Sequence, residues 1–368
     1  MSDIEALMLR ALGLAEAGRY GASPNPLVGA IVLDPRDAVV GEGAHQVCGG
    51  PHAEVIALAA AGPAARGGTL VVTLEPCAHF GRTPPCVDAI IAAGVARVVA
   101  GPRDPNPAVN GQGYAALRAA GIEVTEGLQE EACERLNRRF FQTRRTGLPY
   151  VTLKMALSLD GKIAARGGIS RWITCEESRR AGYALREEYD AILVGAGTLL
   201  ADNPRLLRHL GLNPNPHLRR VVLDSTLRTP AGAALLEQLA EDVVIVCREP
   251  ASPERRRELE AAGATVLEVG DDGRGRCDLR QTLRWLTAHE VTSVLVEGGG
   301  EVHWSFLREN LAQRVHAFIA PMVIGGREAV PAVAGIGFPS PQDAVRLRFE
   351  QVERIAGDLL VIGEVLGV

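Results

Sequence analysis

Four residues of reactive type stand in an order that suits a metal ion and a proton carrier. His52 and Glu54 lie two apart in Pro-His-Ala-Glu, 51–54, where a helical pattern begins. Cys77 follows one proline and Cys86 follows two, so an ordinary helix is excluded between them. One imidazole and two thiolates make a three-donor zinc site with an open fourth position, the arrangement of catalytic rather than structural zinc. An ion held there lowers the pKa of bound water, so hydroxide is available near neutral pH. Glu54 is not needed as a ligand and is free to shuttle protons between that water and a substrate. Singly these features carry little, since His-x-Glu is common and paired cysteines are usually packing. Their order, the Pro-Cys context and the helix start make the combination a candidate. His79 is a competing donor that we assign to the pocket wall.

The second half offers two glycine clusters directly after apolar runs. They read Gly-x-Gly-x-x-Leu in GAGTLL, 195–200, and Gly-x-Gly-x-x-His in GGGEVH, 298–303. Neither completes a dinucleotide fingerprint, but each sets backbone N–H groups at a helix start, where phosphate binds. A single glycine turn is more often structural. Asp160 in SLDGK reads as a turn residue, and Cys48, Cys133, Cys175, Cys247 and Cys277 read as inert.

The elements that position these groups alternate. NPLVGAIVLD, VVGEGAH and GGTLVVTLEPC read as strands, and HAEVIALAAAG as a helix ending at Gly62. CVDAIIAAGVARVVAG and GYAALRAAGIEVTEG each read as helix then strand, which implies a largely parallel α/β sheet. A break falls at 144–150, and the expected domains are 1–145 and 148–368. Beyond it, YVTLKMALSLDGKIA, YDAILVGAGTLLADNP, RRVVLDS, EDVVIVCRE, ATVLEVG and VTSVLVEGGG read as strands. RRELEAAG, LRQTLRWLTAH and EVHWSFLREN read as helices, and RVHAFIAPMVIGG and GDLLVIGEV as closing strands.

Composition narrows the function class. At 368 residues the chain suits two domains, and its net charge is −5 with no basic block. A nucleic-acid partner is therefore not expected. No run of about 18 apolar residues marks a membrane span, and the N-terminus lacks the pattern of an export signal. Seven cysteines in such a chain are expected to be reduced, and cytoplasm is the default location.

His-x-Glu followed by Pro-Cys and a later Cys is the pattern of zinc nucleobase deaminases. The usual spacing is Cys-x-x-Cys, whereas eight residues intervene here. EPCAHFGRTPPC, with SPNPLVGAIV and HAE upstream and GPRDPNP downstream, closely resembles the bifunctional deaminase–reductase of riboflavin biosynthesis. The resemblance continues through SLDGKIA, SRWIT, GAGTLLADNPRL, VLDS and VEGGG, and so spans nearly the whole chain. It implies an α/β protein: an N-terminal cytidine-deaminase-like α/β/α domain, then a C-terminal dihydrofolate-reductase-like α/β domain. It implies Zn2+ in the first and NADPH in the second, phosphorylated pyrimidine substrates, and a homo-oligomer.

By the same resemblance, Asn25 and His45 face the pyrimidine or its sugar. His79 and Arg82 line the loop side, with Arg82 near the ribose phosphate, and Asp104 and Asn106 hold the ribose. Turn chemistry is the plain alternative for Asn25 and Asn106, each flanked by prolines. In the second domain Ala156, Trp172, Thr198, Asp202, Ser225, Gly299 and Gly300 would touch NADPH. Ser170, Arg186, Leu206, Arg208 and Glu297 would hold substrate, the two arginines as phosphate clamps. NPRLLRH is one residue shorter than the family form, which leaves Arg208 and His209 as alternatives. Lys154 and Glu297 are the candidates for handling a proton near the sugar, though Lys154 also reads as a solvent charge at a strand end. Trp172 also reads as packing. Two other functions compete: a deaminase of another nucleobase or a tRNA with an unrelated C-terminal domain, and a non-catalytic relative that kept the fold. The long insert, the absence of a basic surface and intact SLDG and VEGGG oppose the first. The presence of Glu54 and all three donors opposes the second.

Overall fold

The computed structural model describes residues 3–106 and 109–366. Contacts divide the chain into two compact units, Met1–Gly147 and Leu148–Val368. In the first, the order is α1 (Ile4–Ala15), β1 (Gly29–Leu33), β2 (Val39–Ala44), α2 (Ala53–Ala61), β3 (Thr69–Val72) and α3 (Cys86–Ala93). Then follow β4 (Arg97–Ala100), α4 (Gln112–Ala119), β5 (Glu123–Thr125), α5 (Glu130–Leu136) and α6 (Arg138–Thr146). The sheet runs β2-β1-β3-β4-β5.

Strand alternation makes this sheet the middle of three layers. Ala30, Val32, Leu70, Val72, Val98 and Ala100 pack with α2, α3 and α4. The intervening Ile31, Leu33, Val71 and Val99 pack with Met8 and Ala11 of α1 and Cys133 of α5. Successive side chains of a strand face opposite ways, so two covered faces read as unbroken apolar runs. A fully buried Ile or Leu such as Ile31 or Leu70 contributes about 1.5–3 kcal/mol. The expected parallel sheet is corrected in part: β1 pairs antiparallel with both β2 and β3, and only β3-β4 and β4-β5 are parallel. Periodicity reports which residues are buried and says nothing of strand direction.

The second unit contains β6 (Tyr150–Ser158), β7 (Lys162–Ala164), α7 (Glu176–Glu188), β8 (Ala191–Gly195), α8 (Ala196–Asp202), β9 (Arg219–Leu223), β10 (Val243–Arg248) and α9 (Pro253–Ala261). It continues with β11 (Thr265–Val269), α10 (Leu279–Ala288), β12 (Ser293–Val296), α11 (Gly300–Arg308), β13 (Arg314–Ala320), β14 (Val330–Pro331), β15 (Leu347–Ile355) and β16 (Asp358–Val365). The main sheet runs β11-β10-β9-β8-β12-β6-β13-β16-β15. It is parallel up to β13 and antiparallel at β13-β16 and β16-β15. The run YDAILVGAGTLLADNP, read as one strand, is β8 followed at once by α8. Asp190 holds the start of β8 to that of β12, accepting from Thr292 and Ser293. Asp160 acts as a turn residue, accepting from Ser158 Oγ and from the N–H groups of Ile324 and Gly325.

Candidate functional site

His52, Cys77 and Cys86 are delivered by two helix starts and one strand exit. His52 is the N-cap of α2, Cys77 follows β3, and Cys86 is the first residue of α3. Pro84 and Pro85 keep the insert extended until α3 begins, with Pro85 at φ −60°, ψ 136°. Cys77 closes the insert by capping α3. Its Sγ accepts from Cys86 N–H at 3.3 Å and its carbonyl from Val87 N–H at 3.2 Å. The helix start thus directs orphan N–H groups and positive partial charge at a sulfur, which favours thiolate.

The three donor atoms lie within 4.8 Å of one another. His52 Nδ1 is 3.1 Å from Cys86 Sγ and 3.6 Å from Cys77 Sγ. Zinc bonds of about 2.0–2.3 Å hold tetrahedral donors about 3.5–3.8 Å apart; the His52–Cys77 pair matches this, and the His52–Cys86 pair needs to open by only about 0.4 Å to do so. With Nδ1 as donor, Nε2–H is left to donate to Thr83 Oγ1 at 3.1 Å, the outer bond that fixes a ligating imidazole. Hydrogen bonding from Cys86, with His52 beside it, holds the Cys77 thiol well below the ordinary range. Glu54 is buried, and burial pushes its carboxyl up.

Of the other expected residues of this unit, Asn25 and His45 adjoin that cluster, His79 and Arg82 lie on the insert, and Asp104 and Asn106 lie on the loop after β4. Asn25 Nδ2 donates to His45 Nε2 at 3.1 Å, and His45 Nδ1 donates to Pro51 O at 3.0 Å. The His45 and His52 rings meet edge-on at 5.3 Å, and burial lowers the His45 pKa. His79 lies outside the donor set, half-buried on the insert. Arg82 is exposed and donates to Cys48 Sγ, so Cys48 has a partner that its sequence context did not suggest. Asp104 is buried and accepts from Asn106 N–H at 2.8 Å, and burial pushes its carboxyl up to about 6.

In the second unit the charged candidates meet each other. Arg186 of α7 binds Glu297, just past β12, through Nε at 2.8 Å and Nη2 at 2.9 Å. Burial alone would raise Glu297; Arg186 and Lys154 outweigh it and hold the carboxyl at about 2. Lys154 on β6 is half-buried, and desolvation of its ammonium lowers its pKa. Its Cε lies 3.1 Å from the point a Cβ on Gly182 would occupy, so Gly182 is what lets the lysine cross α7. Arg208 is engaged throughout: it donates to the carbonyls of Arg186, Tyr189, Asn215 and His217. It anchors the loop, while His209 packs edge-on to Tyr183 at 5.5 Å and is lowered by burial and by Arg186.

Of the expected cofactor residues, Ser225 follows β9, Thr198 is in the first turn of α8, and Gly299 and Gly300 open α11, whereas Ala156 lies within β6, Asp202 ends α8 and Trp172 lies on a loop. Thr198 Oγ1 approaches Gly299, the N-cap of α11; a Cβ on Gly299 would lie 3.6 Å away. Gly300 has no room for a side chain, since a Cβ would meet Pro331 O at 2.4 Å. Ser225 lies beyond β9 beside Cys277 Sγ, 3.5 Å away, and lines a cavity of about 220 Å³ with Arg248 and Ser252. Trp172 is 62% exposed, with the Arg179 guanidinium 4.3 Å from its ring centre, so it is not core packing. Asp202 is exposed, 4.0 Å from Arg171. Ala156 and Ser170 are half-buried, and Leu206 is buried at φ 55°.

Comparison with known proteins settles the affiliation. A family model described as the RibD C-terminal domain matches residues 149–361. One described as the cytidine and deoxycytidylate deaminase zinc-binding region matches 1–102. The riboflavin biosynthesis protein RibD of Bacillus amyloliquefaciens is 42% identical over 96% of this chain and 94% of its own. The chain belongs to the RibD family. The Escherichia coli RibD is 39% identical over 96% of this chain and 97% of its own. A solved Acinetobacter baumannii RibD superposes with a TM-score of 0.89 at 35% identity, over 98% of each chain. A Thermotoga maritima protein described as a diaminohydroxyphosphoribosylaminopyrimidine deaminase/5-amino-6-(5-phosphoribosylamino)uracil reductase gives 0.81 at 36%, also over 98% of each. This chain is thus a bifunctional enzyme of riboflavin biosynthesis, with a zinc-binding deaminase unit and an NADPH-dependent reductase unit. An unrelated C-terminal domain is not favoured, because the reductase family model spans nearly all of that unit.

Three contributors escaped the sequence reading. Thr83 sits unremarked in the insert, and Gly182 lies in a helix of no notable pattern. Glu75 directly precedes Pro76-Cys77, and that adjacency was the only available signal.

Proposed function

We propose that this chain hydrolyses the 2-amino group of 2,5-diamino-6-(5-phosphoribosylamino)pyrimidin-4-one. It then reduces the ribosyl chain of the 5-amino-6-(5-phosphoribosylamino)uracil so formed to ribityl. The observation that carries the reading is the convergence of His52, Cys77 and Cys86 beside buried Glu54. Zinc held by those donors supplies activated water at neutral pH. Glu54 takes one proton from that water and returns it to the departing amine; its raised pKa suits both transfers. The Asn25–His45 pair leaves Asn25 Oδ1 to accept from the pyrimidine edge. Asp104 and Asn106 hold the ribose, and His79 and Arg82 close the loop side.

In the reductase unit NADPH supplies the hydride. Ala156, Trp172, Thr198, Asp202, Ser225, Gly299 and Gly300 orient it, the glycines by letting backbone approach. Glu297, kept ionised by Arg186, accepts from sugar hydroxyls, and Lys154 holds a proton beside it. Ser170 and Leu206 border the same substrate. His209 replaces Arg208 as the phosphate contact, because four carbonyls already engage the arginine. The seven free cysteines support a reducing, cytoplasmic setting. Phe349 and Val352, 67% and 60% exposed on edge strand β15, support homo-oligomerisation.

A coupled assay on purified protein tests this by following ammonia release and NADPH loss together. Wild type is expected to give both signals. Glu54→Gln is expected to lose ammonia release by about 10²–10⁴-fold while still oxidising NADPH on the deaminated intermediate. A wild type that releases ammonia but never oxidises NADPH on that intermediate would refute the second assignment.

A further inference from the structure

Glu75 is a buried carboxylate, 3% exposed, whose hydrogen-bond partners are main-chain N–H groups. Its Oε2 accepts from Asp104 N–H at 3.0 Å and Gly111 N–H at 2.9 Å, and its Oε1 from Gly113 N–H at 2.9 Å. Gly111 is the N-cap of α4 and Gly113 lies in its first turn, so Glu75 satisfies donors that the helix start leaves unpaired. The Asp104 bond comes from the opposite arm of the same loop. One carboxylate therefore clasps both arms, and bonds to an ionised acceptor are about twice as strong as neutral ones. The fit is close: a Cβ on Gly113 would lie 2.0 Å from Pro76 O.

Glu75 is also joined to Cys77 through a single proline. The segment 75–77 thus carries a metal donor at one end and the clasp of the Asp104–Asn106 arm at the other. We propose that Glu75 is a positioning residue that sets the ribose-reading arm relative to the metal donors and so governs substrate affinity rather than chemistry. The inference rests on the assignment of Asp104 and Asn106 to the ribose. Contacts to a non-reacting sugar bind ground state and transition state alike, so loosening them raises KM and spares kcat.

The test is Glu75→Gln in the full-length zinc enzyme. Glutamine keeps one accepting oxygen but turns an NH2 group toward N–H donors, which removes part of the clasp. The KM for ammonia release is expected to rise about tenfold, with kcat within about twofold. The inhibition constant of ribose 5-phosphate is expected to rise by the same factor, while zinc content and the reductase rate on the deaminated intermediate hold. Loss of zinc or of kcat with KM unchanged, or no change at all, overturns the proposal. Glu75→Asp, which keeps the charge on a shorter arm, is the second variant if Glu75→Gln does not fold; failure of both to fold also overturns it. A wild type that releases no ammonia refutes the functional reading itself, before any variant is compared.

Discussion

The two sites of this chain handle charge in opposite ways. In the first unit three donors from separate elements point at one another within 4.8 Å, with an acid buried alongside. In the second, Arg186 and Glu297 answer each other with two parallel bonds, and Arg208 is absorbed by backbone carbonyls. A convergent donor set suits a compact cation. Paired charges and strand-end glycines suit large ligands that carry their own reactive atoms. Disturbance should therefore act at a point in the first unit and through stability and orientation in the second.

The largest expected effect breaks the convergent set. Cys86→Ser should reduce bound zinc in metal analysis and lower ammonia release by more than about 10³-fold, because the ion is the source of the nucleophile. NADPH oxidation on the deaminated intermediate should persist; if it vanished too, the independence of the two sites would be wrong. Next is the paired set. Glu297→Gln leaves Arg186 buried without its counter-charge and should cost the second unit about 3–5 kcal/mol in denaturant unfolding, with loss of reductase activity. Since Glu297 sits at about 2, the pair should hold as pH falls through the ordinary carboxylate range.

The smallest effect concerns Asp104. Its folded pKa of about 6 exceeds the ordinary carboxylate value, so the folded state holds the proton more tightly. The stability this provides is complete below about pH 4 and is lost as pH rises through about 6. Asp104→Asn removes the dependence. Between pH 4 and pH 7 the variant should gain on wild type by about 2 kcal/mol, read from paired urea titrations. A constant difference across that range would show that Asp104 is not held protonated by burial.

The convergence of the candidate metal donors was legible because their context is local: a helix start for His52 and a Pro-Cys step for Cys77 each lie within a few residues. The alternation of Ala30-Ile31-Val32-Leu33 likewise marked a strand covered on both faces. What escaped depends on distant partners. The direction of β1 is set by its pairing with β3, about forty residues on. The role of Arg208 is set by carbonyls on either side of it in the chain. Strand β15 is exposed along nearly its whole length and so gives no burial pattern, and α8 follows β8 directly, with Gly195 both ending the strand and capping the helix. The Glu75 clasp joins positions up to 38 apart, and no short motif encodes it.

Each sheet is made wholly from strands on one side of Gly147, which ends α6 in the left-handed region at φ 71°. A cut in the polypeptide there would sever no ladder of backbone hydrogen bonds and expose no new strand edge. Written as one reading frame or as two, the coding sequence would leave each fold with all its own described strands.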